Sequence, residues 1–497
     1  MRIPNRYNGL NISSRKFLRA GTLTAAVTPA RSSWSLAAAN AGARNEHASQ
    51  CESEQNQGFL ESARGMAQRI ESAAQKLDQR GVYWFPQPNH AEKAETESAP
   101  ITINSASAAT VLFLIQLANA TGEERYLKTA SLGANYLVST WEELVDRPVK
   151  SLFSDRSPNL SLYGGLAGVA FVLNETGKAT GNETYCEAAR TATDCIVRAA
   201  KAAGSGLAWS DAPGIAGDGG IVLYLLYAAR EFENTLYRIT AERAGDHILE
   251  LATNERHGGF SWRGFPAFPG LSKDAYLPAF EDGTAGIVYV FARLYSETNK
   301  ARFVFAANQG ATHLQNVATV GSKAELISHP LSDLPELHYA GFCHGPAGTA
   351  RAFFELYKIT REPEYHIWAE RLAQKVLHSD IRGELTPGYW TVVCQCCGSA
   401  AVVDLLVEMW AFTERSDYLI SAKRAARKLM NHETNSDGKR KRNAKAWPRV
   451  TPQEANTETD DFVGASGVGS ALLRIHLAEQ GKYSAIPFPD NRFANAR

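Results

Sequence analysis

Apolar residues recur at three- and four-residue steps through most of the chain. In one representative segment, Trp368, Leu372 and Val376 follow Tyr365 at these intervals. Such spacing is typical of amphipathic helices, whose apolar positions share one face. No stretch sustains the alternation of apolar and polar positions that marks a half-buried strand. The pattern therefore predicts an all-α protein.

One helical unit recurs at intervals of about 50–70 residues. Each copy opens with a Gly-x-x-Gly-like element and an apolar helix, followed by a turn and a second helix that starts near a tyrosine. The seven openings are at Ala106, Gly165, Gly217, Gly283, Gly345, Gly398 and Gly464, of which the first is degenerate and the last truncated. Stacked helical hairpins of this kind predict a closed α/α toroid, with an open solenoid as the alternative. The glycines would let crowded inner helices approach closely.

The composition says more about which partners the protein can bind than about its fold. The chain has 497 residues, 44% hydrophobic content and a formal net charge of zero. Zero net charge gives no electrostatic basis for binding nucleic acid or an anionic membrane. The basic run Lys439–Arg442 is interpreted as a solvated loop. No apolar run reaches the ~18 residues that could span a bilayer. The oligomeric state is left open.

The chain divides into four segments. Residues 1–41 resemble a twin-arginine export signal, with Arg15-Lys16 before a mildly apolar run and a small-residue patch near Ala37–Ala41. This predicts a periplasmic or extracellular protein; a disordered extension on a cytoplasmic protein is the alternative. Residues 42–57 are predicted to be a polar linker, 58–485 the helical domain and 486–497 a tail.

The cysteines favour a metal site over disulfides. Their number is odd and four of them are clustered, in the series Cys51, Cys186, Cys195, Cys343, Cys394, Cys396 and Cys397. Cys343 lies two residues before Gly345, and Cys396 two before Gly398, so the repeat places both alike. Zinc is the default ion for converging thiolates. Cys394 is interpreted as a spare ligand, and Cys186 and Cys195 as packing residues.

The stretches Cys343-His-Gly-Pro-Ala-Gly and Cys396-Cys397-Gly-Ser-Ala resemble the paired zinc motifs of the lanthionine synthetase C-like (LanC-like) family. The resemblance implies an α/α barrel and a zinc ion held by Cys343, Cys396 and Cys397, with a fourth position open. It also implies an enzyme that adds a thiol to a dehydroamino acid and forms a thioether. His344 falls at a variable position outside the implied ligand set, with an expected role in packing or support.

The chain differs from the family at the position of the proposed catalytic acid. Asp282 stands where the family carries a histidine, so the resemblance makes Asp282 the catalytic acid, provided that its pKa is raised. Burial would raise the pKa, and repulsion from the neighbouring Glu281 would add to it. Asp211 lies near the position of a second catalytic aspartate of the family, with Asp218 as the other option. Helix capping is the alternative role for these acids.

Three functions remain open. The first is thioether formation within a modified peptide or with a small thiol, the dehydro residue being made elsewhere. The second is a six-hairpin type of glycosidase, which would use paired carboxylates among Asp211, Glu281 and Asp282, with Trp209 and Trp262 as aromatic loops over one end of the barrel. The third is a non-catalytic scaffold stabilised by zinc.

Overall fold

The structure is a computed structural model that describes residues 58–85, 101–104, 107–145, 159–264, 276–319, 338–378, 389–390, 394–396, 398–434, 464–482 and 486–490. The predicted export signal, the linker and the basic run Lys439–Arg442 lie outside these ranges. Within them, no helix is both long and apolar enough to cross a bilayer.

Helices alternate between an inner and an outer layer. The inner helices are α2 (Ser107–Thr121), α4 (Leu166–Thr180), α6 (Asp218–Glu231), α8 (Thr284–Thr298), α10 (Pro346–Thr360), α12 (Ser399–Thr413) and α14 (Ala465–Glu479). The other helices are α1 (58–73), α3 (Glu124–Thr140), α5 (Glu183–Ala199), α7 (Thr235–Glu250), α9 (Ala301–Thr319), α11 (Pro363–His378) and α13 (Ser416–Thr434). From α2 to α13, each inner helix packs against the helix that follows it. The predicted all-α architecture is confirmed.

The inner helices form a closed ring. Each contacts the next inner helix, and α14 contacts α2. Side chains join the two ends of the ring: the hydroxyls of Thr110 and Ser466 lie 3.3 Å apart, and Ser470 donates to Gln116 at 3.0 Å. An open solenoid is therefore wrong, and the predicted toroid is confirmed.

The two layers differ in how their helices are buried. Every residue of α4 from Leu166 to Gly177 is buried, as expected for a helix surrounded by protein. The outer helix α5 instead buries one stripe, which includes Tyr185, Ala189 and Ile196. Asn182 caps the start of α5 by accepting the backbone N–H of Thr184 at 3.1 Å. The sequence pattern thus reflects the layer in which each helix lies.

Short strands, which the sequence did not predict, follow several helices. Three antiparallel pairs are β1 (Gln75–Lys76) with β2 (Val82–Tyr83), β3 (Lys201–Ala203) with β4 (Gly206–Ala208), and β5 (Thr253–Asn254) with β6 (Phe260–Ser261). A fourth, parallel pair joins β7 (His338–Tyr339) to β8 (Tyr389–Trp390). These strands are too short to produce a readable period of two.

A tryptophan at each antiparallel hairpin donates a hydrogen bond to the helix that precedes the hairpin. The indole N–H groups of Trp84, Trp209 and Trp262 donate to the carbonyls of residues 70, 196 and 248, each at 2.8 Å. Trp262 is fully buried. Trp209 and Trp262 are thus part of the scaffold, and a fully buried ring cannot stack on a sugar.

The second glycine of the Gly-x-x-Gly element is required because it packs against the turn that precedes its own helix. A Cβ atom on Gly168 would lie 2.0 Å from the carbonyl oxygen of Leu162, and one on Gly286 would lie 1.9 Å from that of Phe280. The helix start therefore packs on the turn that precedes it. The sequence interpretation, that the glycines bring neighbouring helix backbones together, was wrong in this respect.

Gly168→Ala should destabilise the barrel by about 1–3 kcal/mol, because the backbone carbonyl of Leu162 cannot move aside cheaply. Urea unfolding measures the loss. Gly58→Ala is the matched control, since its Cβ would meet only the flexible end of Met430 at 3.2 Å. Equal midpoints for the two variants would contradict the packing argument.

Candidate functional site

Three successive turns build the site by hydrogen bonding to one another. The backbone N–H groups of Phe280 and Glu281 donate to the carbonyl of Cys343 at 3.0 and 3.1 Å. Those of Phe342 and Cys343 donate in turn to the carbonyl of Cys396 at 2.7 and 3.2 Å. This ladder joins the turns before α8, α10 and α12, so side chains at the same register of each repeat are brought together.

Two buried thiols meet at this ladder. The Sγ atoms of Cys343 and Cys396 lie 3.0 Å apart, and neither cysteine forms a disulfide. A carboxylate oxygen of Glu281 joins them, with all three donor atoms within 4.8 Å of one another. Glu281, Cys343 and Cys396 each stand two residues before the first glycine of their repeat. Cys397 lies outside the described residues, so its predicted role as a ligand stays a prediction.

These donors fit a zinc ion. Zinc–sulfur bonds of about 2.3 Å in a tetrahedral site place neighbouring sulfurs roughly 3.8 Å apart. The separations of Glu281, Cys343 and Cys396 allow this arrangement after small side-chain rotations. Thiolate and carboxylate are both ordinary zinc donors. Sequence reasoning missed Glu281 as a candidate ligand, although its register in the repeat was available.

A second group lies beside the first. Donor atoms of Glu281, Asp282 and His344 are all within 4.8 Å of one another. Asp282 and His344 are both buried, and each stands one residue before its glycine. Burial raises the pKa of Asp282 to about 7. Burial is the cause of this upward shift. His344 belongs to this acid group and not to the cysteine pair.

The other candidate acids have different surroundings. Asp218 accepts the hydroxyl of Ser210 at 2.7 Å and the backbone N–H of Trp209 at 3.0 Å. Burial raises its pKa to about 6, and these hydrogen bonds oppose the shift. Asp218 thus anchors a loop at the start of α6. Asp211 is exposed, and among the described residues neither donor group includes it.

The other cysteines that the structure describes stand outside both donor groups. Cys394 is buried, and its carbonyl accepts the N–H of Gly398 at 3.1 Å. Cys186 and Cys195 are half-buried on α5. A Cβ on Gly177 would lie 2.3 Å from the sulfur of Cys186, which shows how closely that thiol packs.

Comparison with solved structures supports the toroid. Nisin cyclase matches with 14% identity and a TM-score of 0.57, over 78% of this chain and 92% of that one. An inactive variant of an α-1,6-mannanase of Salegentibacter sp. HEL1_6 matches with 14% identity and a TM-score of 0.40, over 66% and 90%. An unsaturated glucuronyl hydrolase specific for heparin gives 13% and 0.41, over 64% and 83%. The first likeness shows the fold; the other two are too distant to carry an argument.

Sequence comparison identifies the family. Curated proteins give no significant match. The profile of the family described as "Lanthionine synthetase C-like protein" matches residues 156–439 and 343–488. Together the two matches span more than half of the chain and include both cysteine turns and both acids of the ladder. The chain belongs to the lanthionine synthetase C-like protein family.

Proposed function

We propose that the protein binds one zinc ion and catalyses the addition of a thiol to a dehydroamino acid, forming a thioether. The observation that carries the proposal is the pairing of two buried thiols with a buried acid group on one ladder of turns. Cys343 and Cys396 would hold the zinc, and the third ligand would be Cys397, from the family motif, or Glu281, from the observed donor group. A substrate thiol bound to an ion held there would have a lowered pKa, and its sulfur would be a thiolate near neutral pH.

The chain's own residues supply the acid chemistry. When the substrate sulfur bonds to the β-carbon of a dehydroalanine, the carbon–carbon π bond breaks and its electron pair moves onto the α-carbon and the adjoining carbonyl. A proton must then reach the α-carbon. Asp282, with a pKa of about 7, holds such a proton for a large part of the time at neutral pH. The proton released by the thiol restores Asp282, and His344 lies in the same group to relay it.

The site weighs against the two alternatives. A glycosidase needs two carboxylates that flank a sugar. Here Asp282 is buried and Asp211 lies outside the acid group, and the fully buried ring of Trp262 has no face open to a sugar. A zinc-stabilised scaffold needs no acid with a raised pKa beside its ligands. The substrate is therefore proposed to be a peptide containing dehydroalanine or dehydrobutyrine, with a cysteine of the same peptide or a small thiol as the donor.

Asp282→Asn should slow thioether formation by about 10²–10⁴-fold, the usual worth of a general acid. The test incubates the zinc-loaded protein with a dehydroalanine peptide and glutathione and follows the adduct by mass spectrometry. In the wild type, the rate should fall as the pH rises through about 7, because Asp282 loses the proton that it donates.

Asp218→Asn is the matched control, since it removes a second buried carboxylate with a raised pKa that anchors a loop. Its rate per folded molecule should equal that of the wild type. A wild-type protein that holds zinc but forms no adduct would reject the proposed reaction. An unchanged rate for Asp282→Asn would reject Asp282 as the acid.

A further inference from the structure

Residues 486–490 pack against the inner helices α4 and α10 and against the turn before α4. The segment reads Ile-Pro-Phe-Pro-Asp, and its Ile486 and Asp490 are buried. Pro487 and Pro489 restrict the backbone on either side of Phe488, which lowers the entropic cost of holding the segment in one conformation. The segment thus makes its contacts with little loss of chain freedom.

An aromatic pocket receives Phe488. Its ring stacks on that of Tyr163, with centroids 5.4 Å apart and planes at 25°, and meets Phe171 edge-on at 5.0 Å. Tyr163 also contacts Phe342 at 5.9 Å. Because Phe342 precedes Cys343 in the chain, the pocket is one aromatic ring away from the thiol pair.

A buried cation receives Asp490. The carboxylate of Asp490 accepts a hydrogen bond from the hydroxyl of Tyr163 and lies 3.5 Å from the guanidinium of Arg351. Arg351 is 5% exposed, and its other ion-pair contact, with Glu408, is also 3.5 Å long. Among the described residues, its Nε–H group has no hydrogen-bond partner. A buried guanidinium whose ion-pair contacts are both this long is suited to exchanging one carboxylate partner for another.

We propose that Tyr163, Phe171 and Arg351 form a recognition subsite for a peptide that carries an aromatic residue two positions before a carboxylate. In this structure, Phe488 and Asp490 of the chain itself occupy the subsite. The inference rests on the proposed function, because it assigns the subsite to the peptide substrate. Both contacts are made by side chains two residues apart, so a separate peptide presenting the same pair can replace them.

The tethered segment competes with such a peptide. A covalently linked segment has an effective concentration in the millimolar range, which a free peptide of equal intrinsic affinity must overcome. Weakening the Phe488 and Asp490 contacts should therefore open the subsite to a peptide added in solution.

The test uses a fluorescent peptide, Ile-Pro-Phe-Pro-Asp, and fluorescence anisotropy with the full chain. Phe488→Ala/Asp490→Asn should bind the peptide at least ~10-fold more tightly than the wild type does. Replacing the peptide's Asp by Asn, or its Phe by Ala, should remove most of this binding. Phe305→Ala, at an exposed ring, is the matched control and should behave like the wild type.

If the double variant has lost the helical circular dichroism of the wild type, the single variant Asp490→Asn takes its place, since it keeps Phe488 and the volume of the side chain. A folded variant that does not bind the peptide, or binds the Asn peptide equally well, would overturn the proposal. The readout needs neither zinc nor turnover. Peptide binding without thioether formation would therefore count against the proposed reaction alone.

Discussion

Replacing Cys343 by serine should lower the zinc content from about one ion per chain to a small fraction of one. The Cys343 thiol is buried 3.0 Å from that of Cys396, and serine offers a much weaker ligand in the same volume. The loss in affinity should exceed the ~10–100-fold that changes around a metal's ligands cost. Metal analysis by mass spectrometry, on protein purified without chelators, measures the effect.

Variants at other cysteines and at Glu281 sharpen this measurement. Cys186→Ser on α5 is the matched control and should keep its zinc. Cys397→Ser and Glu281→Gln identify the third ligand, because only the variant that removes a true ligand should lose most of the metal. Full zinc occupancy in Cys343→Ser, with the fold intact, would exclude the proposed centre.

The repeat was the most predictable part of the fold. The six openings from Gly165 to Gly464 each lie directly before an inner helix. Outer helices begin within two residues of the tyrosines at which they were expected, as at Tyr185 in α5. These features were predictable because they are local. A helix needs a periodic apolar face, and the glycine is needed because a carbonyl oxygen six residues earlier occupies the space of a side chain. The two-residue strands carry no comparable local signal.

The residues of the site were predictable where equivalent positions of successive repeats were compared. Cys343 and Cys396 share a position, and the ladder of turns brings their sulfurs together. Glu281 occupies the same position of the preceding repeat, and His344 the position of Asp282, yet neither was predicted to be a zinc ligand or the acid of the thioether reaction. The family motif points to the cysteines alone, whereas the hydrogen bonds between turns bring together all residues at that register. Asp211 as a second catalytic acid stays a prediction.

Two properties of the site depend on contacts between distant parts of the chain. Burial raises the pKa of Asp282, and that burial comes from the packing of neighbouring repeats. The insertion of residues 486–490 brings Asp490 to Tyr163, more than 300 residues away in the chain. Neither property leaves a periodic or local pattern in the sequence.

Glu355→Gln should destabilise the protein by about 3 kcal/mol, the lower end of the ~3–5 kcal/mol cost of leaving a buried charge without its partner. Glu355 on α10 pairs with Arg293 on α8 at 2.7 Å, and the two side chains are only 3% and 8% exposed. The lower end applies because Glu297 keeps a 2.9 Å contact with Arg293. Denaturant unfolding at neutral pH measures the change.

Burial, and not the length of the ion pair, should determine this cost. The pair Arg415–Asp417 has the same 2.7 Å separation, but its side chains are 44% and 50% exposed. Asp417→Asn is therefore the matched control and should cost less than ~1 kcal/mol, because water screens the pair and solvates the cation that remains. The double variant Arg293→Met/Glu355→Leu should recover much of the stability lost in Glu355→Gln, since it removes both buried charges and fills the space with apolar groups. Equal losses for Glu355→Gln and Asp417→Asn would show that the ring of inner helices admits enough water to solvate Arg293.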